Sequence, residues 1–122
     1  MSVENGNVVA LASASRTTTQ TLSDVHNPYH KGLIVVLDMT TVGTGSVTLT
    51  IQGKDIASGK YYTILAGAAV TTNSTNTYRV YPGLTASANA TANDVIPATF
   101  RLLVTANNAN AATYSLGYSK IC

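Results

Sequence analysis

Apolar and polar residues alternate with a period of two along almost the whole chain, the period of half-buried strands. "SVTLTIQ" (46–52) sets Val47, Leu49 and Ile51 on one face against Ser46, Thr48, Thr50 and Gln52 on the other. "ATFRLLVTA" (98–106) opposes Phe100, Leu102 and Val104 to Arg101, Leu103 and Thr105. "ATYSLGYSK" (112–120) opposes Tyr114, Leu116 and Tyr118 to Thr113, Ser115 and Gly117. "LIVVLDM" (33–39) is apolar on both faces as far as Asp38, which predicts a central strand covered on both sides. Shorter alternating runs lie at "VVALAS" (8–13), "TTTQTL" (17–22), "KYYTIL" (60–65) and "TYRVY" (77–81).

About eight short strands, separated by Gly, Asn, Pro and Ser clusters, predict an all-β protein. The expected architecture is an antiparallel two-sheet β-sandwich, with either a jelly-roll or an immunoglobulin-like topology. "LTASANATANDV" (84–95) is rich in alanine but carries no apolar stripe, so it reads as a long connection with room for one helical turn. Residues 1–16 are expected to be an N-terminal arm, flexible or ordered by a partner, and 17–122 a single sandwich domain.

Composition narrows the function classes. A chain of 122 residues can bury a core without metals or disulfides. Charged residues make up only 10% of it, against roughly 25% in an average soluble domain, and Thr, Ser and Asn fill the gap. Such a surface lacks the repulsion that keeps monomers apart, which suits an assembly or an extracellular setting better than a cytosolic enzyme. The net charge is +2 and the basic residues are scattered, so no nucleic-acid partner is expected. No secretory signal and no apolar run approaching membrane-spanning length is seen, so the expectation is a soluble protein with no membrane partner. Cys122 is the one cysteine, which leaves no pair for a disulfide or a thiolate metal site.

Each candidate for chemistry has a plainer structural explanation. In "GKDIASGK" (53–60), Gly53 and Gly59 suit the positive φ of a wide hairpin turn, with Lys54, Asp55 and Ser58 at a polar tip. A phosphate-binding loop would need to lead into a helix, whereas Lys60, Tyr61 and Tyr62 open a strand. His26 and His30 frame "HNPYH", where Pro28 opposes the helix that would align two imidazoles on a metal, so this reads as a turn. Asp38 is expected to cap its strand or to pair with a basic residue. The five acidic residues are spread one per region, no G-x-S-x-G elbow occurs, and no enzyme activity, cofactor, metal or small-molecule ligand is expected. Tyr61, Tyr62, Tyr78, Tyr81, Tyr114 and Tyr118 leave open a sugar-binding face, although buried rings with a wet hydroxyl are the commoner use.

From Gly32 onward the stretches "GLIVVLDMT", "SVTLTIQGKDIASGKYYTILAGAAV", "YRVYPGL", "DVIPATFRLLVT" and "TYSLGYS" give the chain a further aspect. It resembles a family of small virion proteins of tailed bacteriophages. The resemblance implies a virion component synthesised in the bacterial host cytoplasm, and it carries no catalytic motif. The expected function is a capsid decoration or cement protein on the shell exterior, with the major capsid protein and copies of itself as partners. A tail or head–tail junction protein and a carbohydrate-binding module for host adsorption are the alternatives. The expected interface is the arm with Val8, Val9, Leu11 and Arg16, the turn with Tyr29 and His30, and the tip with Lys54, Asp55 and Lys60.

Overall fold

A computed structural model describes residues 6–122. The first five residues of the expected arm lie outside the described residues. Ten strands follow in order: β1 Gly6–Arg16, β2 Gln20–Thr21, β3 Val25–His26, β4 Gly32–Thr41, β5 Val47–Lys54, β6 Tyr61–Ala66, β7 Ser74–Val80, β8 Thr91–Ala92, β9 Thr99–Ala106 and β10 Ala112–Ile121. They form two sheets, one in the order β1-β10-β4-β7-β8 and the other β2-β9-β5-β6, with β3 also paired to β9. Apart from the short parallel pair β7–β8, every pairing is antiparallel.

This order selects a jelly roll over an immunoglobulin-like sandwich. Strands β1, β10, β4 and β7 lie opposite β2/β3, β9, β5 and β6, so the chain changes sheet at most connections and its first long strand pairs with its last. The reason is local. Alternation makes each strand apolar on one face, and both sheets turn that face inward to a common core. Leu33, Val35, Leu37 and Met39 of β4 meet Leu49 and Ile51 of β5 and Phe100, Leu102 and Val104 of β9 in one cluster. Phe100 and Tyr118 meet edge to face, with centroids 6.0 Å apart.

Four sequence expectations need correction. From Gly6 on, the supposed arm is strand β1, paired with β10 inside the chain, and its Ala10 and Leu11 pack against the core. Strand β4 is covered on one side only: Ile34, Val36 and Asp38 on its other face stay half-exposed. The 17–22 run holds its strand only over Gln20–Thr21, and β3 takes up the pairing to β9 a few residues later. The 84–95 connection contains β8, preceded by one tight turn in which the Ala90 and Thr91 amides both donate to the Ser87 carbonyl.

Candidate functional site

Pairing gathers most of the expected interface at one end of the sandwich. His26 pairs with Thr99, and Gly53 with the adjacent Phe100, which brings the β3–β4 and β5–β6 turns together. The start of β1 reaches the same end, because Gly6 pairs with Lys120 and the Lys31 amide donates to the Ile121 carbonyl. Val8, Val9, Tyr29, His30, Lys54, Asp55 and Lys60 therefore sit toward this end. Arg16, paired with Ala112, lies at the other.

The β5–β6 tip is a self-satisfied turn. The Asp55 carboxylate accepts the Ala57 amide at 3.2 Å and the Ser58 hydroxyl at 2.7 Å, and the Gly59 amide closes on the Asp55 carbonyl. Those bonds, led by Ser58, hold the Asp55 carboxyl below its usual 3.8. Gly59 has φ +73°, as a wide hairpin needs, while Gly53 plays another part. The end of the Tyr62 ring lies over it so closely that a methyl group would fit only if the half-exposed ring swung aside.

Beside the tip, the outer face of the β9–β5–β6 sheet carries an ordered polar cluster. Lys54 pairs with Asp24 at 2.9 Å, and the Tyr61 hydroxyl donates to the other oxygen of that carboxylate. The Tyr61 bond first, then Lys54, keeps the Asp24 carboxyl below 3.8, and Asp24 in turn raises the Lys54 ammonium. The Arg101 guanidinium stacks 3.5 Å from the Tyr61 ring centroid while its Nε donates to Gln52 at 2.8 Å. Sequence reasoning placed Lys54 at a surface but missed Asp24, Arg101 and Tyr61 as its neighbours. The signal lay in register: Lys54 pairs with Tyr61, and Gln52 with Arg101.

Strand β1 is an edge with two characters. Its first residues pair regularly with β10, and then the register breaks between Val9 and Leu11 and again between Leu11 and Ala14. In the irregular half the Arg16 guanidinium folds back onto the carbonyls of Ala12, Ala14 and Tyr114 and stacks on the Tyr114 ring. Bulges and a turned-back charge both discourage a further strand from pairing there. Val9 is 77% exposed, whereas Leu11 turns inward to a groove of about 420 Å³ shared with Leu22 and Val25.

The turn expected from "HNPYH" is present, fixed by a residue the sequence did not mark. Buried Asn27 donates through its side chain to the His30 carbonyl at 2.7 Å, and its amide donates to Ala98. Tyr29 then stands 63% exposed. Asp38 finds no basic partner among the described residues; its carboxylate accepts the Thr75 hydroxyl across the β4–β7 pair. Among the described residues no group of three or more His, Cys, Asp and Glu side chains could hold a metal ion. Tyr78, Tyr114 and Tyr118 belong to the core, and the Tyr61 face is taken by Arg101, so the tyrosines make no shared exposed platform.

No known protein family and no curated protein sequence matches the chain. Among solved structures, the fold is similar to a chain in the structure of the infectious bursal disease virus Gx strain. The TM-score is 0.50 at 16% identity, over 96% of this chain and 33% of that one. This chain spans about a third of the length of its viral neighbour, and what the two share is a β-rich fold.

Proposed function

We propose that this chain is a virion structural protein, not an enzyme, that decorates the outside of a tailed-phage capsid and cements its subunits. The observation that carries the reading is a jelly roll whose counterpart, over nearly the whole chain, lies within a viral structure. The sequence resemblance to small phage virion proteins points the same way. The end of the sandwich that gathers Tyr29, Lys54, Asp55 and Lys60 is the surface we assign to the shell, since exposed turns on a rigid scaffold adapt to a partner. Many weak contacts repeated over a lattice supply strength that none has alone.

Mixing the purified chain with emptied, expanded capsids of its phage tests this. Binding that raises the capsid melting temperature is expected, and no association with any capsid preparation would sink the proposal. Quantifying copies per virion separates the stations: hundreds belong to a shell, about six or twelve to a tail or neck built on one symmetry axis.

A further inference from the structure

The outer face of the β1–β10–β4–β7 sheet is unlike an ordinary solvent face. Register places Val9, Gly117, Val36 and Thr77 side by side in one row, and Asn7, Ser119, Ile34 and Arg79 in the next. Beyond them Ile121 pairs with Gly32, which Tyr81 covers. Ile34, Ile121, Tyr81 and Leu84 line an apolar groove of about 300 Å³ on this face. A solvated antiparallel face usually alternates to polar residues, whereas β4 presents Ile34 and Val36 in succession and turns polar only at its far end, with Asp38 and Thr40.

Charge identifies what covers the stripe. Asp38 lies two residues along β4 from Val36; Arg79 pairs with Ile34, two residues the other way and one strand over. Neither forms an ion pair among the described residues. We propose that two copies of this chain meet face to face here, about a two-fold axis running across the strands at Val36. That rotation reverses the strand direction, so Asp38 of each copy comes opposite Ile34 of the other, one strand (about 5 Å) to the side of Arg79 and within reach of its long side chain, twice over. An isologous contact needs such self-complementarity, and a surface designed for a dissimilar partner does not. Gly117 has no side chain and keeps the centre flat, which lets two sheets approach to the usual spacing of about 10 Å. Lys31 is drawn over the Tyr81 ring at 5.7 Å.

This pairing rests on the reading of a protein that works through its surfaces, but it is measured on the isolated chain and separates from shell binding. Sedimentation equilibrium of the full chain is expected to show a dimer. Asp38→Arg and Arg79→Asp should each weaken association tenfold or more, because one change strikes both symmetric pairs, and the double swap should regain most of the loss. Circular dichroism of each variant checks that the strands are intact. Should a variant fail to fold, Asp38→Asn and Arg79→Gln carry the same test with a smaller loss. A monomer at about 100 µM, where even weak specific contacts assemble, would overturn the proposal. A dimer indifferent to the swaps, or one the double swap does not restore, would overturn it too. A parent chain that stays monomeric yet binds the shell would fault the pairing alone; a dimer that binds no shell would fault the proposed function alone.

Discussion

Along β5 the outward residues are Thr48, Thr50, Gln52 and Lys54; along β4, in the opposite sheet, they are Ile34, Val36, Asp38 and Thr40. Both strands are central, and both turn a fully apolar face to the core. Their outer faces differ because their neighbours differ. Strand β5 is flanked by Arg101 and Tyr61, whose hydrogen bonds and ring stacking tie its polar residues into a network complete within the chain. Strand β4 is flanked by Gly117, Ser119 and Arg79, which leave its isoleucine and valine half-exposed and one charge unpaired. A face that satisfies itself has little to gain from a partner; one that leaves apolar area and charge unmet does.

The largest test of that contrast compares adjacent residues of β4. Leu37→Ala removes a fully buried side chain and should cost about 2–5 kcal/mol in urea unfolding. Val36→Ala, one residue away on the outer face, should cost the isolated monomer only about 0.5 kcal/mol. Equal losses would mean that the two faces are not distinct. Next come two glycines. Gly53→Ala must push the far end of the half-exposed Tyr62 ring aside and should cost about 1 kcal/mol. Gly117→Ala has its nearest atom at 3.5 Å, the Val8 carbonyl, and should stay within about 0.5 kcal/mol of the parent.

The smallest effect concerns pH. Both Asp24 and Asp55 have folded-state values below 3.8, so what they add to stability is complete above that value and lost as pH falls through the depressed ones. The melting temperature of Asp24→Asn should therefore fall less than that of the parent between neutral pH and pH values below 3.8. Identical curves would show that the Lys54–Tyr61 network contributes nothing.

Much of this was legible in the sequence. Period-two runs located β5, β9 and β10 almost to the residue, because each buries alternate side chains in a single core. The topology was not legible, since alternation says which face is buried but not which strand lies alongside. "LIVVLDM" was read correctly as a central strand and wrongly as covered on both sides, for sequence cannot say whether a second apolar face is met within the chain or outside it. Arg101 looked like an ordinary exposed base; only the register that lays Tyr61 and Gln52 beside it gives it a place.

The pairing of β1 with β10 has a consequence for how the protein comes into being. Strand β10 lies between β1 and β4, so that sheet has a gap between them until β10, about seventy residues beyond β4, has been made. Contacts so distant in sequence close slowly, on the order of milliseconds to seconds. Meanwhile the bare flanks of β1 and β4 are open to the wrong strand of another nascent molecule. Overproduced quickly, the chain should be caught in aggregates; produced slowly and in the cold, it should have time to seat β10.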